Sequence, residues 1–127
     1  MTRWRLRRGA QGEQIAVDYL KRLGYRIQQR NYRCKQGEID IIAWDGAALV
    51  FVEVKTKSRT DFGAPQAMVT RQKQAKIVHV AMAYVQQHQV RDTALRFDVV
   101  AVTCLPGTAP EVVHVPAAFD ASPQFRY

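Results

Sequence analysis

The chain has 127 residues, 47% of them apolar, with a formal net charge of +8 and an isoelectric point near 9.9. That length suits one domain, 1–127, which buries roughly two thirds of its unfolded surface and needs no disulfide or metal to fold. The longest uncharged apolar run, Ala47 to Val52, is far short of the roughly 18 residues that a membrane span requires, and the arginine-bearing N-terminus lacks the apolar stretch of a signal peptide.

The surplus of 19 Lys and Arg over 11 Asp and Glu favours a polyanionic partner. The basic residues are spread along the chain instead of lining one face of an amphipathic helix, which argues for nucleic acid over a membrane surface. Cys34 and Cys104 lie far apart, and His79, His88 and His114 are scattered, so no zinc spacing exists. Two reduced thiols in a cytoplasmic protein are expected.

In chain order, helical spacing of Ala16, Val17, Leu20 and Leu23 predicts a first helix from about Arg7 to Leu23, ended by Gly24. Glu13 falls on the same apolar stripe, an unusual place for a carboxylate. Tyr25 to Arg33 reads as a strand of mixed character. Glu38 to Ala43 alternates well and is closed by the turn pair Asp45-Gly46. Leu49 to Lys57, rich in Val and Phe, completes a hairpin. A loop from Ser58 to Pro65 precedes a second helix, about Thr70 to Gln87, with Thr70 as its cap. Ile77, Ala81, Tyr84 and Val85 give that helix an apolar face, a candidate homodimer interface. Leu95 to Thr103 and Glu111 to Val115 are the last strands, and Pro116 to Tyr127 reads as an irregular tail. The order αβββαββ predicts an α/β fold with a mixed sheet flanked by helices.

Side chains alternate across a strand, so Glu53 and Lys55 share a face, with Val52 and Val54 opposite. On the neighbouring strand Glu38 and Asp40 share a face, with Ile39 and Ile41 opposite. If the hairpin aligns them, Asp40, Glu53 and Lys55 converge, and the first helix can deliver Glu13 to the same patch. Mg²⁺ and Mn²⁺ take such oxygen ligands, usually one or two carboxylates with water and phosphate. A metal so held activates water for phosphodiester hydrolysis, and a lysine beside it stabilises developing charge. A Glu-x-Lys pair alone is commonly just an exposed ion pair. The combination with an acidic strand and an acidic helix is what points to chemistry.

Gly37-Glu38-Ile39-Asp40-Ile41-Ile42 and Leu49-Val50-Phe51-Val52-Glu53-Val54-Lys55 resemble segments of the bacterial YraN family. So do Gly9-Ala10-Gln11-Gly12-Glu13, Asn31-Tyr32-Arg33, Phe62-Gly63, Lys73-Gln74 and Arg96-Phe97-Asp98-Val99-Val100. That family is similar to the PD-(D/E)xK nucleases and to archaeal Holliday junction resolvases. The resemblance implies a restriction-endonuclease-like core. It also implies Asp40 and Glu53 as Mg²⁺ or Mn²⁺ ligands, Lys55 as the catalytic lysine and Glu13 as the helical carboxylate completing the site. The namesake proline is absent, since Ile39 stands in its place, and Gln66 follows the loop where some related nucleases carry a further polar residue. The implied activity is an endonuclease on structured DNA, branched DNA included, with a homodimer cutting two strands. Arg7, Arg8, Arg71, Lys73 and Lys76 are expected to grip phosphates outside the site. The alternative is a nucleic-acid-binding protein that does not cut and acts through a partner.

Overall fold

The computed structural model describes the backbone of residues 3–57 and 69–121, and the side chains from residue 9 onward within those ranges. Helix α1 (Arg3–Arg22) leads into strands β1 (Arg26–Cys34), β2 (Gly37–Asp45) and β3 (Ala48–Lys57). Helix α2 (Arg71–Gln87) then precedes β4 (Leu95–Thr103) and β5 (Glu111–Phe119). This is the expected order, αβββαββ. The strands form one mixed sheet in the order β1-β2-β3-β4-β5. All neighbours are antiparallel except β3 and β4. A parallel pair needs a crossover connection, and α2 lies within it.

Local chemistry sets the helix ends. Gly24 adopts φ +96°, which lets the Tyr25 N–H reach back to the Leu20 carbonyl at 3.0 Å and close α1. Thr70 caps α2, its hydroxyl accepting from the Lys73 N–H at 3.1 Å. Helix α1 begins at Arg3, four residues earlier than the sequence pattern suggests, because residues 3–8 contain no helix breaker.

The sheet separates two cores. On one face Ala16, Val17 and Leu20 of α1 pack on Ile41, Val52 and Val100. On the other, Ile77, Val78 and Tyr84 of α2 pack on Ile42, Phe51 and Val99. Each fully buried side chain of this size contributes about 1.5–3 kcal/mol. The apolar face of α2 is therefore spent on the sheet, which removes it as the expected dimer interface.

Two further expectations are corrected. Strand β5 runs on through Pro116 to Phe119, so the tail is not irregular from 116. Its pairing with β4 shifts between Val99↔Val115 and Phe97↔Phe119. Pro116 is tolerated because β5 is an edge strand and the proline falls at this irregularity, where a missing N–H breaks no ladder bond. The second correction concerns facing. Ile39 packs on the α2 side and Ile41 on the α1 side, although simple alternation puts both on one face. Opposite this point β1 carries Asn31 at φ +53°, between the pairs Arg30↔Ile41 and Tyr32↔Ile39. Tyr32 packs on the α2 side, whereas Arg30 reaches Glu13 of α1. Both strands thus change face together at Asn31 and Asp40, and asparagine tolerates the left-handed backbone this needs.

Candidate active site

The β2–β3 ladder runs from Asp45↔Ala48 to Ile41↔Val52 and stops. Beyond it β2 stays with β1, down to Cys34↔Gly37, while β3 stays with β4, up to Lys57↔Thr103. The strands open into a fork, and Asp40, Glu53 and Lys55 stand at its mouth. In the fork the Val54 N–H donates to Asp40 Oδ2 at 2.8 Å. A side-chain carboxylate thus satisfies the donor that the interrupted ladder leaves over.

Helix α1 closes one side of the fork. A Cβ on Gly12 would lie 2.1 Å from Thr56 Oγ1, so only glycine permits this close approach of helix to strand. The approach places Glu13 beside Asp40, and the two line a cavity of about 240 Å³ with Gly9, Val54 and Thr56. Glu13 Oε1 is buried without a hydrogen-bond partner, and the guanidinium of Arg30 stands 3.6 Å from it. An unsatisfied buried carboxylate oxygen is costly and calls for a cation or a donor.

Glu53 faces the α2 side and is only 6% exposed. Its Oε1 lies 3.7 Å from Lys55 Nζ and 3.4 Å from Lys73 Nζ, the latter reaching over from the first turn of α2. Asp40 sits between the two groups. Burial, then the charges of Glu53 and Glu13, push its carboxyl up to about 7, against the lowering effect of the Val54 N–H. Negative charge is crowded here in a way that a cation would relieve.

The donor set suits a hard cation of the Mg²⁺ or Mn²⁺ type. Among the described residues, however, no three His, Cys, Asp or Glu side chains form a closed metal-ligand set. An ion here would be held by two carboxylates, with water or phosphate completing its shell, as Mg²⁺ commonly is. A larger cavity of about 350 Å³ lies at the opposite end of the sheet, between Val85 and Leu95, and carries none of these groups.

The sequence-predicted residues are thus distributed in two groups across the fork, Glu13 with Asp40 and Glu53 with Lys55. Lys73, expected to act outside the site, touches Glu53. Arg71 and Lys76 are exposed on α2. The side chains of Arg7 and Arg8, and Gln66 altogether, lie outside the described residues. Sequence reasoning missed Arg30. A cation three residues into α2, where the helix dipole disfavours it, was the available signal for Lys73.

Sequence reasoning also missed a second buried cluster. Asp98 is fully buried, and both its oxygens are engaged. Arg96 donates to it from Nε at 2.9 Å and from Nη2 at 3.1 Å, His114 Nε2 lies 2.8 Å away, and the Ala117 N–H donates at 3.0 Å. Arg96 also bonds Asp45 at 2.8 Å and the Tyr25 hydroxyl. Burial alone would raise the Asp98 carboxyl, but the bonds from His114, Arg96 and Ala117 outweigh it and hold it at about 2. Every oxygen is used, so this cluster ties β5 and the β2–β3 turn to β4 and is architectural.

Residues 12–102 match the profile described as uncharacterised protein family UPF0102. A UPF0102 protein of Geotalea daltonii is 51% identical over 112 residues, 88% of each chain. One of Geobacter sulfurreducens is 47% identical over the same coverage, and one of Caldicellulosiruptor saccharolyticus is 48% identical over 94 residues, 74% of this chain and 80% of that one. The chain belongs to the UPF0102 family. This is the YraN family that the sequence resembles. The UPF0102 match includes Glu13, Asp40, Glu53, Lys55 and Lys73, and stops short of His114. Among the described residues no helix is long and apolar enough to cross a membrane.

Proposed function

We propose that this UPF0102 protein is a metal-dependent endonuclease acting on structured DNA, branched DNA included, in the cytoplasm. The observation that carries the reading is Asp40. It is a carboxylate held in a sheet fork by the Val54 N–H, with its acidity shifted to about 7 by burial and by Glu53 and Glu13. Unlike Asp98, whose oxygens are all engaged, Asp40 combines a perturbed carboxylate with a cleft and nearby ammonium groups, an arrangement that supports a reaction centre. Asp40 and Glu53 would hold Mg²⁺ or Mn²⁺, with Glu13 behind Asp40. The bound cation would supply an activated water and neutralise charge on the phosphate. Lys55, partly exposed beside Glu53, presents its ammonium to a phosphate oxygen and steadies the charge that develops there. Arg7, Arg8, Arg71 and Lys76 bind backbone phosphates and read no sequence. A homodimer would bring two such sites to two strands.

A gel assay tests this directly. Labelled four-way junction, flap, duplex and single strand are incubated in Mn²⁺, Mg²⁺ or EDTA with wild type, Asp40→Ala and Lys55→Ala. Cutting that needs metal and is lost in both variants is expected. Retarded bands without cutting in any metal would refute hydrolysis. They would support a second reading, a nucleic-acid-binding protein that acts through a partner. The observation favouring that reading is that Glu53 is already paired with two lysines.

A further inference from the structure

Glu53 is nearly sealed from solvent, and a single oxygen of it faces two ammonium groups. The two lysines differ in setting. Lys55 is on the same strand two residues away, so its position is imposed by alternation. The side chain of Lys73 is 46% exposed and arrives from a different element, α2. It stands at the third position after the Thr70 cap, in a first turn with no acidic residue, where the helix dipole opposes a cation. The compensating contact is with Glu53. Because the Lys73 side chain is 46% exposed, it can swing off Glu53 into solvent while Lys55 keeps the buried carboxylate paired. Lys55, with 28% of its side chain exposed, is the more enclosed of the two.

Resting on the nuclease reading above, we infer that Lys73 is a positioning residue that caps Glu53 and is withdrawn by a phosphate group of the nucleic acid. While the ammonium is on Oε1, Glu53 is a poor ligand for a divalent cation. The closely spaced phosphate charges of a nucleic-acid backbone attract the half-exposed ammonium and draw Lys73 outward. Glu53 is then released as metal ligand when substrate is in place. The cation and the polyanion therefore bind with positive coupling, and each must tighten the other equally.

The test measures Mn²⁺ affinity by electron paramagnetic resonance of the free ion, at constant ionic strength. The proteins are wild type, Lys73→Gln, Lys73→Arg, Lys76→Gln and Asp40→Asn. Each is measured alone and with a phosphorothioate duplex that resists hydrolysis, after subtraction of binding by the duplex itself. Lys73→Gln alone is expected to bind Mn²⁺ about fivefold more tightly than wild type, the size of one such ion pair. Lys73→Arg is expected to keep the wild-type affinity, because it keeps the cap. Lys76→Gln removes an equal charge one turn along α2 and is expected to change affinity less than twofold. The duplex should tighten Mn²⁺ binding more in wild type than in Lys73→Gln, where only the phosphate's own contact with the ion contributes. Equal affinities for wild type and Lys73→Gln overturn the inference while leaving the metal site standing if Asp40→Asn loses Mn²⁺. An equal gain in Lys76→Gln also overturns it, because general charge then explains the effect. No Mn²⁺ binding by any protein overturns both this inference and the nuclease reading.

Discussion

Replacing Asp40 by asparagine should make the metal-free protein more stable at pH 8. The carboxyl is raised from the ordinary 3.8 to about 7 by burial and by the charges of Glu53 and Glu13. A group whose folded value lies above its unfolded one contributes stability that is present below about 3.8 and lost as pH rises through about 7. The gap corresponds to about 4 kcal/mol of penalty for holding Asp40 ionised. Its side chain is not fully buried, and solvent and the nearby ammoniums screen part of that, so about 2–4 kcal/mol is expected. An asparagine carries no charge, and its amide oxygen can still accept from the Val54 N–H, which the aspartate does at 2.8 Å. Urea unfolding in EDTA should therefore give Asp40→Asn an advantage of about 2–4 kcal/mol at pH 8. At pH 3, below the ordinary 3.8, the carboxyl is protonated in both folded and unfolded protein and that advantage should nearly vanish. Adding Mn²⁺ should stabilise wild type but not the variant, since only an intact site gains from mass action. A variant that is no more stable than wild type at pH 8 in EDTA would refute the reasoning, because Asp40 would then bear no electrostatic strain.

Asp98 should behave in the opposite sense. Its folded value of about 2 lies below the ordinary 3.8, so its stabilisation is present above about 3.8 and is lost as pH falls through about 2. The gap corresponds to about 2 kcal/mol, and acid titration of unfolding should show that slope in wild type and not in Asp98→Asn. Gly12→Ala should destabilise by about 1–3 kcal/mol through its collision with Thr56, and Gly12→Ala with Thr56→Ala should recover most of it in a double-mutant cycle. DNA affinity measured across salt concentrations should fall steeply, with a slope of about −0.9 for each phosphate contact, and Arg71→Ala should flatten it by about one contact. An unchanged slope would remove Arg71 from the phosphate-binding surface.

Much of the architecture is legible in local pattern. Leu95–Thr103 emerges with the same bounds from the run of apolar residues. Asp45-Gly46 marks the hairpin, Gly24 ends α1, and Thr70 caps α2. These signals act over a few residues, through backbone sterics, capping bonds and the periodicity of burial, so a single chain displays them directly. The chemical types at the candidate site are also legible, because Asp40, Glu53 and Lys55 interrupt the apolar neighbours Ile39, Ile41, Val52 and Val54 on their strands.

What the tertiary structure decided is how those residues meet. The change of face at Asn31 and Asp40 couples two strands, and alternation along either one alone misplaces Ile39. Pro116 looks like the end of a strand until its edge position and the carboxylate of Asp98 beneath Ala117 are known. Glu13 gains its orphaned oxygen only because Gly12 lets α1 settle on Thr56, and Lys73 acquires its contact only when α2 folds back over β3. The sequence by itself therefore determined the elements, their order and which residues could carry chemistry, since these depend on neighbours along the chain. The fork, the crowding that shifts Asp40 and the capping of Glu53 arise between residues far apart in sequence. Burial and Coulomb interaction depend on distance in space, which no local pattern encodes.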